Sequence, residues 1–320
     1  MINIKVTNPY SPNNLNRQMP KQGTDWGKCR FFVNQDIKEC DYWIVLNNVN
    51  KEERVNCPSE NTILFALEPS SIQKYKPAFL NQFSKVVTAQ KNIKHKDVVN
   101  TLTTLFWHFN KTYDDLAETH LVKKTKLISI ITSNKALSKG HRKRLQFAYR
   151  LKEYFGDSID LFGRGIRPFD DKWEVLAPYK FTVSIENEWE SDWITEKLTD
   201  CFLTYTFPLY YGCPNAEEYF HPDSFVRIDI DNFDQSIKVI ENILSNAQYY
   251  QDHLNALKIS RDQVLNKYNF FPLVANNVIS LNSKEQTKKE ITILPEKLFT
   301  NNLDHLKKII GSVNKFKNRI

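Results

Sequence analysis

The sequence predicts an α/β protein of two Rossmann-like domains, and three observations carry that prediction. Short, almost continuous apolar runs of strand length alternate with polar or helical stretches, the rhythm of βαβ units on a parallel sheet. That rhythm occurs twice, in successive stretches of similar size. The length, 320 residues, exceeds what one hydrophobic core commonly serves and suits two domains.

The first series opens with residues 2–7 (INIKVT), which alternate apolar and polar side chains as a strand does. Residues 41–47 (DYWIVLN) and 62–68 (TILFALE) are apolar runs typical of strands buried on both faces, and 85–90 (KVVTAQ) reads as a fourth strand. Residues 111–126 are charged and polar and read as an interdomain connection. The second series has strands at 126–134, 159–165, 179–187 and 207–212, and helices at 141–155, 194–205 and 233–244. The expected domains are 1–120, 121–270 and a tail, 271–320. In the tail Leu306, Ile309, Ile310, Val313 and Phe316 recur at helical spacing beside Lys307, Lys308, Lys315, Lys317 and Arg319. A basic amphipathic helix over 303–320 is expected, docked on its own domain or, as the less favoured alternative, lying on an anionic membrane.

Composition narrows the function classes. At 41% apolar and 25% charged residues the chain is an ordinary globular one. Only 8 glycines leave little room for a glycine-rich phosphate loop. A formal charge of +7 suits an anionic partner such as a nucleotide. The basic residues are spread along the chain rather than gathered with aromatics, which disfavours nucleic acid. The cysteines (Cys29, Cys40, Cys57, Cys201, Cys213) show no CxxC spacing, so neither a disulfide framework nor a zinc site is indicated. With no apolar run near the ~18 residues of a membrane span and no signal-peptide core, the expected location is cytoplasmic, peripheral at the inner membrane if the tail helix binds there. The sequon Asn110-Lys111-Thr112 matters only in a secretory compartment.

Residues 184–197 (SIENEWESDWITEK) crowd carboxylates around a single lysine at a strand–loop–helix junction. Asp192 or Ser191 reads as the helix N-cap, with Glu196 in the first turn, where a carboxylate suits the helix dipole. Lys197 does not suit it. A lysine added to a positive helix start makes an anion site fitted to a diphosphate, and Glu196 is left to accept hydrogen bonds from vicinal hydroxyls. The plain alternative is a solvated helix start with a surface Glu-Lys pair.

The order of features around this junction resembles the C-terminal signature of the α-1,3-fucosyltransferase family, glycosyltransferase family 10. The matching residues are Tyr179-Lys180-Phe181, Ile185-Glu186-Asn187, Asp192-Trp193-Ile194-Thr195-Glu196-Lys197, Pro208 with Gly212, and Pro222-Asp223-Ser224-Phe225. Upstream, Ser133-Asn134, a basic helix and IDLFGRG follow the family's order. The spacing to Leu151 makes Arg144 the match to the donor-phosphate arginine, with Arg142 as runner-up. In the N-terminal half LFALEPSS resembles the family's strand that ends in the proposed general base, here Glu68. A carboxylate beside Phe65, Leu67 and Pro69 is expected to hold a raised pKa.

The resemblance implies a GT-B fold, two Rossmann-like domains facing across a cleft. It also implies an inverting transfer of L-fucose from GDP-β-L-fucose to a glycan hydroxyl. Arg144, Lys197 and the helix start are three fixed positive elements that can substitute for a metal, so none is expected to be obligatory and a divalent cation at most stimulatory. The implied site is Glu68 as base, with Arg144, Asn187, Glu196, Lys197, Glu186, Trp193, Ser133 and Asn134 around the donor. Trp193 replaces the family's usual tyrosine, and Trp189 and Glu190 alter the loop before it, so the donor sugar stays open toward another nucleotide sugar. The acceptor is open too: a GlcNAc or Glc unit of a lipopolysaccharide or oligosaccharide is expected. A non-catalytic nucleotide- or glycan-binding module is the reading from another class. Asp229-Ile230-Asp231 has the spacing of a metal-binding DxD but is read as an exposed strand end, Asp170-Asp171 as a solvated loop, and His108 as a core histidine in preference to an acceptor contact in the cleft.

Overall fold

The computed structural model describes residues 1–10, 15–136, 138–281 and 287–299. The expected helix at 303–320 lies outside the described residues. Among these, no helix is long and apolar enough to cross a membrane. Contacts divide the chain into two units, one from residues 1–12, 29–99 and 284–320, the other from 13–28 and 100–283.

The first unit is built on parallel strands in the order Cys29–Val33, Ile2–Thr7, Tyr42–Leu46, Thr62–Ala66 and Lys85–Thr88. Registers such as Ile4↔Tyr42, Trp43↔Thr62 and Ile63↔Lys85 fix it. Tyr42–Leu46 and Thr62–Ala66 are buried at every position, as their unbroken apolar runs require of central parallel strands. Trp43, Leu64, Phe79, Phe83 and Val86 form the core on one side. The connections are shorter than a βαβ rhythm predicts. Between Thr62–Ala66 and Lys85–Thr88 the helix is one turn, Pro77–Leu80.

Two differences from the expected domains follow. Lys289–Ile293, placed in the tail by the sequence, pairs antiparallel with Glu53–Cys57 through Ile291↔Val55 and buries Ile293 in the first unit's core. A partner more than two hundred residues away leaves no local periodicity to read. Residues 111–126 are not a bare connection: they contain the helix Tyr113–Glu118, in the second unit. Thr112 and Asp115 form a reciprocal capping box, and Leu116 is fully buried. Of the charges that suggested a linker, Asp114 and Asp115 lie in the first turn of this helix, Asp115 as part of its cap, and Lys124 donates to the carbonyls of Ala177 and Thr204.

The second unit carries a five-stranded parallel sheet in the order Asp160–Phe162, Lys126–Ile131, Tyr179–Ile185, Phe207–Tyr211 and Val226–Arg227. By chain order this is 2-1-3-4-5, the doubly wound pattern whose switch point lies between the first and third strands. The helices Lys139–Phe155, Lys172–Leu176, Glu196–Leu203 and Phe233–Ser245 connect or follow the strands. Helix Lys139–Phe155 buries Phe147, Ala148 and Leu151 on Ile128, Ile130 and Leu161. Two glycines permit close approaches at the carboxyl edge. A Cβ on Gly140, at the start of that helix, would lie 1.7 Å from the Asn187 carbonyl oxygen. One on Gly163 (φ +143°) would lie 1.4 Å from that of Thr132.

Candidate active site

The switch point holds a cavity of about 340 Å³. Ile131, Thr132 and Ser133 line it from the end of the first strand, Gly163 and Arg164 from beyond the second, and Ser184 and Ile185 from the third. Open α/β sheets bind ligands in this place, because the loops leaving the first and third strands diverge there.

Arg144 enters from helix Lys139–Phe155, which Gly140 lets press against Asn187. Its guanidinium donates through Nη1 to Asn187 Oδ1 (2.5 Å) and through Nη2 to Ser133 Oγ (3.3 Å). Its Nε is buried with no hydrogen-bond partner among the described residues. Burial lowers its pKa, while Glu186 and Glu196 support the charge. Arg142, the runner-up, is exposed and donates to the Ala136 carbonyl instead.

The opposite wall is the start of helix Glu196–Leu203. Its N-cap is Thr195 rather than Asp192 or Ser191; the Thr195 hydroxyl accepts from Lys197 N (3.3 Å). Asp192 sits upstream with φ +67°, its carboxylate accepting from Asn215 Nδ2 (2.8 Å) and the Tyr219 hydroxyl (2.6 Å). The cap is fixed by Glu186, fully buried at the end of the third strand. Glu186 accepts from the Thr195 N–H (2.9 Å) and hydroxyl (2.8 Å) and pairs with Lys197 Nζ (3.3 Å). Lys197 Nζ also meets Glu196 Oε1 at 3.2 Å.

These charges hold one another. Burial opposes the Lys197 ammonium, but Glu186 and Glu196 outweigh it and raise its pKa. Burial also opposes the Glu196 carboxylate, and Lys197, Lys172 and His108 more than offset it, so its pKa lies well below the usual range. Glu186, deeper, is raised by burial against the pull of Lys197. The cavity wall therefore carries Arg144, Lys197, Lys172, Lys135 and Arg164 against a single lining carboxylate, Glu196. Such a wall attracts a polyanion and offers one strong acceptor to hydroxyls.

Of the sequence candidates, Ser133, Arg144, Glu196 and Lys197 line the cavity. Asn187 and Glu186 stand behind it, orienting Arg144 and Thr195. Trp193 is buried and Asn134 exposed, both outside the lining, the Asn134 carboxamide lying over Gly165. His108 is exposed and lines the cavity, not a core histidine. Lys172 and its partner Asp200 were missed. Lys172 is signalled only by the Asp171 N-cap before it, and Asp200 by its i, i+4 spacing from Glu196. Asp231 of the DxD pairs with Lys143 Nζ (2.6 Å), and Asp171 caps its helix by accepting from Trp173 N (3.0 Å).

Glu68 belongs to the first unit, two residues beyond Thr62–Ala66 at its carboxyl end. Asn47 (φ +58°) organises the backbone there, accepting from Leu67 N (2.6 Å) and the Tyr75 hydroxyl (2.8 Å) and donating to the Tyr10 hydroxyl (2.6 Å). The Glu68 carbonyl accepts from Gln90 Nε2 (2.6 Å). Burial raises the pKa of both phenols; the Glu68 charge adds to it at Tyr10, and at Tyr75 it adds behind Tyr10 and Glu296.

The chain is similar to proteins already known. An alpha-(1,3)-fucosyltransferase of Helicobacter pylori is 36% identical over 85 residues, 26% of this chain and 18% of that protein. The human 3-galactosyl-N-acetylglucosaminide 4-alpha-L-fucosyltransferase is 30% identical over 115 residues, 34% of this chain and 30% of its own. The chain thus matches less than a third of the length of these relatives. A crystal structure of an alpha1,3-fucosyltransferase with GDP-fucose superposes with a TM-score of 0.52 at 18% identity, covering 89% of this chain and 92% of that one. At that identity the likeness is one of fold, the GT-B class. The profile of the C-terminal part of glycosyltransferase family 10 (fucosyltransferase) matches residues 121–291. That is more than half of the 320 residues, and the chain belongs to this family.

Proposed function

We propose that the protein is an inverting fucosyltransferase that moves L-fucose from GDP-β-L-fucose to a hydroxyl of a glycan acceptor, a GlcNAc or Glc unit of a lipopolysaccharide or oligosaccharide. The observation that carries the reading is the switch-point cavity, where Arg144 and Lys197 are held as cations beside Glu196. In the reaction Glu68 takes the proton of the acceptor hydroxyl. The acceptor oxygen forms its bond to the anomeric carbon from the face opposite the nucleotide, the bond from that carbon to the diphosphate oxygen breaks, and GDP leaves. Arg144, Lys197 and the helix start at Thr195 stabilise the charge growing on the diphosphate. Positive charge already fixed in place lets the step proceed without an obligatory metal. Glu196 accepts from sugar or ribose hydroxyls, and Asn187 and Glu186 keep the arginine and the helix cap in register.

Thermal protection by nucleotide sugars tests the donor. A ligand at a hundredfold excess over its Kd adds about 2.7 kcal/mol, so GDP-fucose and GDP are expected to raise the melting temperature and UDP-sugars are not. A UDP-sugar that protects better would transfer the reading to another donor, and silence from GDP and from every nucleotide sugar would sink both. Glu68→Gln is expected to abolish turnover while keeping GDP protection, which also excludes a mere binding module.

A further inference from the structure

Lys172, at the first position of helix Lys172–Leu176, reaches the first turn of helix Glu196–Leu203. Its ammonium donates to Asp200 Oδ2 at 2.7 Å and to the Glu196 carbonyl at 3.2 Å. Its side chain is 13% exposed and that of Asp200 is fully buried. Glu196 and Asp200 are four residues apart, so their carboxylates project from one face of the helix, and Lys172 lies against that face while lining the cavity. We propose that the Lys172–Asp200 pair is a positioning device for the donor site: Asp200 anchors Lys172, and Lys172 fixes the first turn and keeps the Glu196 carboxylate ionised and ready to accept hydroxyl hydrogen bonds. The proposal rests on the donor-site reading of Glu196.

The surrounding charges agree with this division of labour. Facing Glu196 are Lys197, Lys172 and His108, with Arg144 across the cavity, and on the acidic side Glu186 and Asp200. Lys197 already neutralises the buried Glu186 as well as Glu196, so a single lysine would serve two carboxylates. Lys172 adds a second lysine beside Glu196, and with Arg144 three cations stand against the three carboxylates Glu186, Glu196 and Asp200. Lys172 in turn would be costly to bury alone, and Asp200 supplies the counter-charge from below. Burial raises the Asp200 pKa, opposed by Lys172. Its Oδ1 is buried without a hydrogen bond among the described residues, so Lys172 is its one hydrogen-bonded cation.

Removing one partner strands a buried charge and unfolds the helix start, whereas replacing both by apolar residues is commonly tolerated. The test therefore uses the double variant K172M/D200L, with K172R as the charge-keeping control. Two readouts are followed in the full chain: the carboxyl titration of Glu196 by carbon-detected NMR without ligand, and the GDP dissociation constant by calorimetry from pH 5 to 8. The expected result is a Glu196 titration at least one pH unit higher in the double variant. GDP should bind the double variant at least tenfold more weakly than wild type throughout pH 5 to 8, with K172R close to wild type. An unmoved Glu196 titration overturns the proposal. A shifted titration with no GDP binding by the wild-type protein leaves the pair's action on Glu196 standing and overturns the donor-site reading instead.

Discussion

A single lysine shows how the second unit balances burial against hydrogen bonding. Lys124 donates to the carbonyls of Ala177 (2.8 Å) and Thr204 (2.8 Å) and to Thr206 Oγ1 (3.1 Å), tying together the segments before the third and fourth strands. Burial pulls its pKa down to about 7. The folded value lies below the unfolded one of about 10.4, so between the two the unfolded chain holds the extra proton and stability rises with pH. Each unit of separation is worth about 1.4 kcal/mol. Chemical denaturation from pH 7 to 10 should show this rise in the wild-type protein and a flat profile in Lys124→Met. A parallel rise in both would assign the slope to other groups.

The helix Glu196–Leu203 is the element on which the proposed donor site depends, and its cap is the point of control. Thr195→Ala removes the hydroxyl that accepts from Lys197 N and donates to Glu186, at a cost of about 1 kcal/mol in stability. It also loosens the turn that carries Glu196 and Lys197, so GDP should bind at least threefold more weakly; an unchanged Kd would mean that the cap serves stability alone. At this scale much was legible. The strands Ile2–Thr7, Tyr42–Leu46, Lys126–Ile131 and Tyr179–Ile185 lie where their apolar runs are, because buried parallel strands write their position locally. The candidates Arg144, Glu196 and Lys197 come from a motif compressed into neighbouring segments, and the structure brings them to one cavity. What stayed hidden depends on partners distant in sequence. Thr195 was chosen over Asp192 because Glu186 lies opposite it, and Lys172 shows its purpose only once Asp200 stands 2.7 Å away. Lys289–Ile293 has no meaning apart from Glu53–Cys57.

At the scale of the whole molecule, the first unit's core is closed by a strand from far along the chain. A chain ending at residue 286 lacks the strand that covers Val55 and Cys57 and fills the first unit's core with Ile293. That chain should melt several degrees lower than the full one, and an unchanged melting temperature would show that the strand does not hold the first unit's core. The central claim concerns the second unit, that its switch-point cavity grips a diphosphate through Arg144. Calorimetry of GDP and of guanosine with the wild-type protein and Arg144→Met tests it most directly. The loss of a charge-assisted pair to phosphate is worth about 2 kcal/mol. The variant should therefore bind GDP roughly thirtyfold more weakly while its affinity for guanosine stays within threefold. Equal GDP affinity in the two proteins would contradict the account.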